Sequence, residues 1–558
     1  MRLALEITAL TLLIALSTTQ FSASTDAPQN LEQAIQPIFA EWDRPDSPGC
    51  ALGVMREGRL IYARGFGMAN LDHGIPIRPS TVFHVASVSK HFTVAAILLL
   101  VQQGKLSLDD PVARYLPEMP DLGATITLRH LIHHTSGLRD QWELLGLAGW
   151  RYSLDLITDD DVLAVFRRQR ALNFPPGSQF LYCNTGYTLL AQIVQRISGQ
   201  SFREFTTRNI FAPLGMSRTH FRDNHAEIVR GQAYGYNPTA QGGFGLSLTQ
   251  FDTVGATSLL TTVEDLARWD RNFYEPKVGG DWLVQQLVER GTLNSGEPLD
   301  YAFGLMRGQY RGLPVVHHPG SDAGYRAHFI RFPEQRFSVA LLCNAGSTVN
   351  TTVLVRRVAD LFLEAEMTEP ADWLPAAETV AVAPEQLARW TGLYWSEARD
   401  AFREVTLQNG ALWIGSGGES VALQPLAADR FRTPRAYREI RFETQNADQP
   451  ILLERFPGDK PDTYVRVPRH HPEATVLASY SGTYVSEEIE PIYRIVLQQG
   501  NRLVLHRLKA RPAELKPALP DVFFTTLGTI RFTRDPSGAV NGFILNGHRV
   551  RNFKFTKR

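Results

Sequence analysis

The chain is 558 residues long, with 44% hydrophobic and 20% charged residues, a composition typical of a globular protein with several domains. Lysine plus arginine and aspartate plus glutamate both total 57, so no net field attracts nucleic acid or an anionic membrane surface. The predicted partner is therefore a small-molecule or short-peptide substrate, without nucleic acid, and a homodimer is left open.

The first two dozen residues have the pattern of an export signal. Arg2 precedes an apolar stretch at 7–16, and the small residues Ser22 and Ser24 follow. This predicts a signal peptide over residues 1–24 and a periplasmic or secreted protein. Glu6 favours the alternative of an amphipathic N-terminus. No later stretch is long and apolar enough to predict a membrane span.

A serine and a lysine three residues apart form the first candidate catalytic motif. The chain has eight lysines, and Lys90, in Ser87-Val88-Ser89-Lys90, is the one with a serine three residues before it. Residues three apart share a helix face, so the Lys90 amine can reach the Ser87 hydroxyl. Ser87 is the candidate nucleophile and Lys90 its candidate base.

The residues after this motif predict a buried helix. Residues 92–101 are apolar almost all round, and Gly104 beyond them suits a helix C-terminus. Ser87 and Lys90 would lie in the first turn of this helix. Burial and the positive end of the helix dipole would both lower the pKa of Lys90 toward that of a usable base.

Two further motifs corroborate the spacing of Ser87 and Lys90, which alone is common on helix faces. Tyr182-Cys183-Asn184 comes before a helical pattern. His318-Pro319-Gly320-Ser321 enters a strand-like stretch.

The three cysteines, Cys50, Cys183 and Cys343, cannot all pair. Buried free thiols are the default interpretation, although an oxidising compartment would permit one disulfide between any two of them. The chain has no Cys-x-x-Cys or His-Glu-x-x-His spacing, so we expect no metal and no cofactor.

The chain changes character after a proline-bearing linker predicted at residues 367–384. Short alternating strands follow, and the sequence repeats with an offset of 90 residues, as in Gly392-Leu393-Tyr394 and Gly482-Thr483-Tyr484. Hairpin patterns in each copy favour a closed or nearly closed antiparallel barrel. We therefore predict two all-β barrel domains, at residues 385–470 and 473–558.

The three motifs at residues 87–90, 182–184 and 318–321, taken in order, resemble the active site of the penicillin-recognising serine hydrolases. This family includes class C β-lactamases, D,D-peptidases, esterases and D-aminopeptidases. The segments HLIHHTSGL at 130–138 and PLGM at 213–216 add to the resemblance, which spans residues 31–366. It implies an α/β (α+β) catalytic domain with a helical cluster on an antiparallel sheet, ahead of the two barrels.

The resemblance also implies roles for individual residues. Ser87 would attack the scissile carbonyl, Lys90 would take its proton, and Tyr182 would relay a proton to the leaving group. Asn184 and Gly320 would contact the substrate. The backbone N–H groups of Ser87 and Ser321 would form the oxyanion hole.

The third motif departs from the family pattern of Lys-Thr-Gly. Pro319 offers neither a hydroxyl nor an N–H group to a substrate carboxylate, and a proline there also predicts an edge strand beside the cleft. His318 resembles the histidine of D-aminopeptidases and several esterases, and it would polarise the substrate or assist proton transfer. The alternative is a histidine packed structurally on a strand.

A catalytic domain followed by two barrels resembles the layout of bacterial D-aminopeptidases, in which a loop of the last barrel reaches the active site. The matching stretch would be residues 509–521, where Glu514 or Asp521 would pair with a substrate ammonium. An ordinary solvent loop between strands is the alternative.

These observations predict an exported serine hydrolase that forms an acyl-Ser87 intermediate, foremost a D-aminopeptidase acting on short peptides. An esterase and a β-lactamase or D,D-peptidase are alternatives with the same site. A further alternative is a penicillin-recognising binding protein that captures its ligand without turnover.

Overall fold

The computed structural model describes residues 29–371, 379–418, 420–434, 438–445, 449–455 and 460–558. The predicted signal peptide and the middle of the predicted linker, residues 372–378, lie outside these ranges. Within the described ranges, no helix combines the length and apolar character needed to cross a bilayer.

The first part of the chain mixes helices and strands. Its α-helices are α1 (Gln29–Phe39), α2 (Lys90–Gln102), α3 (Leu128–Ile132), α4 (Gln141–Leu147), α5 (Asp159–Arg167), α6 (Asn184–Ser198), α7 (Phe202–Thr206), α8 (Ala212–Leu214), α9 (Val263–Arg271), α10 (Gly280–Val288) and α11 (Thr351–Leu363). Its strands are β1 (Cys50–Arg56), β2 (Arg59–Phe66), β3 (Met68–Asn70), β4 (Ile75–Pro76), β5 (Phe83–His84), β6 (His220–Phe221), β7 (Tyr236–Pro238), β8 (Phe244–Leu246), β9 (Leu259–Thr261), β10 (Met306–Tyr310), β11 (Leu313–Asp322), β12 (Tyr325–Phe332) and β13 (Phe337–Cys343).

A six-stranded antiparallel sheet in the order β10-β11-β12-β13-β1-β2 forms the centre of this domain. Side chains along β1 alternate between its two faces, as the two-residue period of a strand requires. Cys50, Leu52 and Val54 pack with α1 and α11, whereas Ala51 and Met55 join the core that contains α2 and α9. The predicted helical cluster on an antiparallel sheet is confirmed.

Helix α2 is the buried helix that the sequence predicts. Nearly all of its side chains are buried, including Lys90, because helices and the central sheet surround it. The chain enters α2 through a 3-10 turn, Ala86–Ser89. Ser87 therefore lies one turn ahead of the α-helix rather than inside it.

One disulfide joins β1 and β13, which are the first and last strands along the chain in the first domain. Cys50 and Cys343 are directly paired residues of β1 and β13, and their sulfur atoms are bonded. Cys183 is a buried free thiol. The two pairing options that would have used Cys183 are therefore not taken.

The second part of the chain consists mainly of strands in two copies. The first copy contains α12 (Pro384–Ala388), β14 (Gly392–Ser396), β15 (Ala401–Gln408), β16 (Ala411–Gly415), β17 (Ser420–Ala422), β18 (Gln424–Pro425), β19 (Arg430–Arg432), β20 (Glu439–Gln445), β21 (Gln449–Arg455) and β22 (Asp462–Val467). The second contains α13 (Ala474–Ser479), β23 (Gly482–Val485), β24 (Tyr493–Gln498), β25 (Arg502–His506), β26 (Ala513–Leu519), β27 (Val522–Thr525), β28 (Gly528–Arg534), β29 (Val540–Asn546) and β30 (Phe553–Lys557).

The two copies form one nearly closed and one closed barrel, as predicted. Strands β23 to β30 close on themselves, whereas β14 to β22 form a nine-stranded sheet whose end strands, β17 and β18, are consecutive in the chain. The repeat extends to single contacts. The Tyr394 hydroxyl donates to the Trp390 carbonyl at 2.8 Å, and the Tyr484 hydroxyl, 90 residues later, donates to the Tyr480 carbonyl at 2.7 Å.

The last barrel packs against both other parts of the molecule. Leu144 and Leu147 of α4 join its core, and the Tyr493 hydroxyl donates to the Leu147 carbonyl at 2.8 Å. On another side, Phe524 packs on Phe402 of the first barrel with ring centroids 5.4 Å apart. The last barrel therefore links the first barrel to the catalytic domain.

Candidate active site

Ser87 and Lys90 meet at the start of α2. The 3-10 turn aligns residues three apart, and Lys90 Nζ lies 3.1 Å from Ser87 Oγ. Ala86, directly before the serine, has φ of 48°, a left-handed conformation that costs free energy in a residue other than glycine and is typical of functional sites. Ser87 is partly exposed, whereas Lys90 is fully buried.

The surroundings of Lys90 suit a neutral amine. Besides Ser87, its Nζ contacts Asn184 Oδ1 at 2.9 Å and the Ala256 carbonyl at 2.7 Å. Burial lowers the pKa of Lys90 to about 7, with the Asp322 carboxylate opposing and the Arg549 guanidinium adding to the change. A neutral amine has two N–H groups for the two oxygen acceptors and one lone pair for the Ser87 proton. Lys90 can therefore act as a base near neutral pH.

Tyr182 lies over the same amine. Lys90 Nζ is 4.9 Å from the centroid of the Tyr182 ring. The Tyr182 hydroxyl is buried without a hydrogen-bond partner of ordinary geometry among the described residues. Burial raises its pKa above the usual value, and the nearby Ser87 side chain opposes that rise. The hydroxyl is therefore protonated at neutral pH and free to donate to an incoming atom.

His134 positions the Tyr182 segment. Its Nδ1 accepts a hydrogen bond from the Cys183 N–H at 3.0 Å, and its ring packs on the Tyr182 ring with centroids 4.2 Å apart. Burial, with the nearby Lys90 charge, holds the pKa of His134 well below its usual value. A neutral histidine in this bend is a positioning residue.

Asn184 is held by a carboxylate that sequence reasoning missed. Asp140 Oδ2 accepts hydrogen bonds from the Asn184 backbone N–H at 2.7 Å and from its side-chain Nδ2 at 2.8 Å. The amide is thereby oriented with Oδ1 toward Lys90. Asp140 is the N-cap of α4, and an aspartate at the start of a short helix was the signal that could have drawn attention to it.

His318 lies beside the site with both ring nitrogens engaged. Nδ1 is 2.6 Å from the Pro319 carbonyl, to which it can only donate, and Nε2 is 3.2 Å from the Tyr301 hydroxyl. Burial holds the pKa of His318 well below its usual value. The imidazole is therefore neutral, and its ring centroid lies 6.1 Å from that of Tyr182.

Pro319 does not lie on an edge strand of the sheet, because β11 pairs with both β10 and β12. Its proline is nevertheless tolerated. β11 pairs with β10 only as far as His317, which lies opposite Met306. Beyond His317 this edge of β11 no longer pairs with β10, so the pairing needs no backbone N–H from residue 319. The prediction of an edge strand is therefore wrong, because β11 lies between β10 and β12. Pro319 lies just beyond the end of the pairing between β11 and β10.

Gly320 lets β11 approach the nucleophile turn. A Cβ atom at this position would lie 2.2 Å from the Val85 carbonyl oxygen, a distance that no side chain can occupy. Ser321 follows with an exposed side chain. Its backbone N–H and that of Ser87 remain the predicted oxyanion donors.

Asp322 is a second carboxylate that sequence reasoning missed. Its side chain is only 10% exposed, accepts hydrogen bonds from the hydroxyls of Thr257 and Tyr152, and lies 2.9 Å from His84 Nε2. These hydrogen bonds lower its pKa despite burial, so it is ionised. Its charge favours the protonated form of Lys90 and therefore limits the fall in the Lys90 pKa.

The last barrel reaches this site through a different segment from the one predicted. Most of residues 509–521 form β26 rather than a loop. Glu514 pairs with Arg502, and Asp521 pairs with Arg534. Both arginines belong to the last barrel itself, so the structure does not bring these two carboxylates to Ser87. Instead, Arg549 in the turn after β29 lies with its guanidinium carbon 4.9 Å from the Tyr182 ring centroid.

Other features of the described residues offer no competing site. No group of three or more metal-ligating side chains is found in the described part of the chain. A groove of about 660 Å³ lies in the first barrel between Glu404, Arg466 and Arg469, but its lining contains no nucleophile with an adjacent base. Chemistry of the kind predicted is concentrated at Ser87.

Comparison with known proteins assigns the chain to a family. The family described as Beta-lactamase matches residues 31–364, which is more than half of the chain. A D-aminopeptidase of Gluconobacter oxydans (strain 621H) is 31% identical over 314 residues, covering 56% of this chain and 58% of the relative. The chain thus spans less than two thirds of that relative.

Two further relatives extend over more of the chain. Penicillin-binding protein 4* of Bacillus subtilis (strain 168) is 27% identical over 435 residues, covering 74% of this chain and 94% of the relative. The solved structure of the octameric penicillin-binding protein homologue from Pyrococcus abyssi has a TM-score of 0.56 at 25% identity, and it covers 78% of this chain and 99% of its own. Because the family match covers more than half of the chain, the chain belongs to the beta-lactamase family.

Proposed function

We propose that this chain is a serine hydrolase of D-aminopeptidase type, which cleaves amide bonds in short peptides containing D-residues. The observation that carries the proposal is the buried Lys90 amine, 3.1 Å from Ser87 Oγ, with two oxygen acceptors for its remaining hydrogens. The similarity to a D-aminopeptidase supports an amide rather than an ester as substrate.

Acylation would begin when Ser87 Oγ bonds to the carbonyl carbon and its proton moves to Lys90 Nζ. The carbonyl oxygen becomes anionic, and the backbone N–H groups of Ser87 and Ser321 would stabilise it. As the C–N bond breaks, the Tyr182 hydroxyl gives its proton to the leaving amine and regains one from Lys90. The products of this half-reaction are a free amine and an acyl-Ser87 ester.

Deacylation would reverse these roles with water as nucleophile. The water oxygen bonds to the ester carbonyl carbon while Lys90 takes one of its protons. When the C–O bond breaks, Ser87 Oγ receives that proton and the carboxylic acid leaves. Asn184 and Asp140 contribute by holding the acceptor that fixes the Lys90 amine.

We also propose that the protein is exported to the periplasm or secreted. The apolar segment after Arg2 supports export. The Cys50–Cys343 disulfide supports it independently, because disulfides persist in oxidising compartments.

The test compares the full chain with Ser87→Ala on D-alanine p-nitroanilide, p-nitrophenyl butyrate and a chromogenic cephalosporin. We expect hydrolysis of the anilide, and a loss of about 10³-fold or more in kcat/KM in the variant, because the nucleophile is gone. Intact-mass measurement reports any acyl adduct, and an unchanged melting temperature controls for folding.

Each substrate separates one alternative. Ester cleavage without anilide cleavage would replace the proposal with an esterase, and cephalosporin turnover alone would replace it with a β-lactamase. A lasting adduct without turnover would indicate a binding protein. Anilide hydrolysis that survives in Ser87→Ala would remove Ser87 from the mechanism.

A further inference from the structure

The turn between β29 and β30, residues 547–552, is fixed to the catalytic domain by its backbone. The Glu143 carboxylate accepts hydrogen bonds from the N–H groups of His548 at 2.9 Å and Arg549 at 2.5 Å. The Arg549 carbonyl accepts from the Asp140 N–H at 3.3 Å and from Asn173 Nδ2 at 3.0 Å. Both backbone groups of Arg549 are therefore bound to the domain that holds Ser87.

A buried ion pair secures the same turn from its other end. Arg139, fully buried, pairs with Glu488 of the last barrel and donates from Nη2 to the carbonyls of Arg551 and Asn552, each at 3.2 Å. Gly547 allows the close approach, since a Cβ atom there would lie 1.7 Å from Glu143 Oε1. The position of Arg549 relative to the site is thus set by contacts that do not involve its side chain.

The Arg549 guanidinium itself is only loosely engaged. Its carbon lies 4.9 Å from the Tyr182 ring centroid, and Nη1 lies 3.9 Å from Asp140 Oδ2, an oxygen that already accepts two hydrogen bonds from Asn184. The Arg549 side chain is 32% exposed, and within the described ranges its guanidinium donates no hydrogen bond of ordinary length. A rigidly held backbone thus presents a guanidinium with unused donors beside a catalytic phenol.

The location defines what those donors would bind. Tyr182 is the group that would protonate the leaving amine, so Arg549 lies on the leaving-group side of the site. Guanidinium donors match a carboxylate in a planar, two-bond geometry. Pro319 of β11, in the motif that follows His318, has no N–H donor to offer such a carboxylate.

We propose that Arg549 binds the free carboxylate of the departing amino acid, so that the enzyme prefers peptides with an unblocked C-terminal residue directly after the scissile bond. This inference rests on the proposed function and names its substrate class. It makes Arg549 of the last barrel a specificity-determining residue for a reaction performed by the catalytic domain.

The test uses two substrates that differ in one group, D-alanyl-D-alanine and the same dipeptide with a C-terminal amide. We measure kcat/KM for both with the full chain, with Arg549→Gln and with Arg551→Gln. Arg551 is the matched control, because it lies in the same turn but directs its guanidinium to Gln179 Oε1 at 3.1 Å. The full chain is expected to prefer the free acid.

The expected result is a fall of about 10–100-fold in the ratio of the two kcat/KM values in Arg549→Gln, the size typical of a lost hydrogen bond to a charged group, with the ratio kept in Arg551→Gln. An equal loss on both dipeptides would overturn the carboxylate site and leave Arg549 as an electrostatic influence on Lys90. A full chain that hydrolyses D-alanine p-nitroanilide but neither dipeptide would also overturn the carboxylate site and leave the proposed function standing. A full chain that hydrolyses none of the three would overturn the proposed function itself.

Discussion

The two barrels share a repeated sequence but meet the rest of the molecule differently. The last barrel contacts the catalytic domain through the Arg139–Glu488 pair and the turn at 547–552, whereas the first packs on the last through Phe402. By the 90-residue offset of the repeat, this turn corresponds in sequence to residues 457–462 of the first copy, which contain no arginine. Duplication thus supplied two similar scaffolds, and the sequence of one turn distinguishes the copy that reaches the catalytic site.

The largest expected effect is on the free energy of unfolding, when a buried carboxylate is neutralised in either barrel. Glu488→Gln leaves the Arg139 guanidinium buried without its countercharge, which typically costs about 3–5 kcal/mol of unfolding free energy. We expect urea denaturation to show this loss and kcat/KM to fall, because the turn that carries Arg549 loses its support.

The matched variant is Glu454→Gln in the first barrel. Glu454 is equally buried, and its partners, Arg403 and Arg438, belong to the same barrel. A comparable loss of stability with unchanged kcat/KM is expected. Equal effects of the two substitutions on kcat/KM would show that docking of the last barrel is irrelevant to catalysis.

The next effect is on the pH dependence of hydrolysis. In the proposed mechanism the neutral form of Lys90 is the base. Because burial lowers the pKa of Lys90 to about 7, protonation below that pH should remove activity. We expect kcat/KM to rise with pH through about 7 and to fall about tenfold for each unit below about pH 6. Initial rates over this range give the inflection.

The same measurement distinguishes the barrels. Arg549 lowers the pKa of Lys90, so Arg549→Gln should move the inflection to higher pH. Arg469→Gln, which removes a first-barrel cation paired with Glu404, should leave it in place. An inflection that Arg549→Gln does not move would argue against an electrostatic influence from the last barrel.

The smallest effect is expected between the barrels. Arg531 pairs with Asp400 at 2.5 Å, with both side chains partly exposed, and such pairs contribute at most about 1 kcal/mol. Arg531→Gln should therefore lower the unfolding free energy by no more than this amount and leave kcat/KM unchanged. A larger loss in urea denaturation would mean that the two barrels depend on each other more than their contacts indicate.

The features that the sequence predicted well are local or periodic. Ser87 and Lys90 meet because residues three apart align in one helical turn, and the barrels follow from alternating strands and a 90-residue offset. The place of Tyr182 came instead from resemblance to a family, since no local pattern joins residues 87 and 182. The structure brings all three side chains and Asn184 together.

The features that escaped prediction depend on packing between distant segments. Asp140 matters through Asn184, Arg549 through the docking of a whole barrel, and Asp322 through a buried set of hydroxyls. Strand periodicity shows which residues turn inward but not which hairpin end faces a neighbouring domain. Residues 509–521 were assigned from resemblance to the layout of D-aminopeptidases, and no pattern in the sequence pointed to residues 547–552.

The disulfide between the paired strands β1 and β13 has a consequence for damage to the protein. It joins residues that are 293 positions apart and thereby encloses Ser87, Lys90, Tyr182 and Gly320 in one covalent ring. A protease that cut a single exposed loop inside this ring would open the chain without releasing either piece. In an environment rich in degradative enzymes, a nicked molecule would keep the segments that carry Ser87, Tyr182 and Gly320 tethered together.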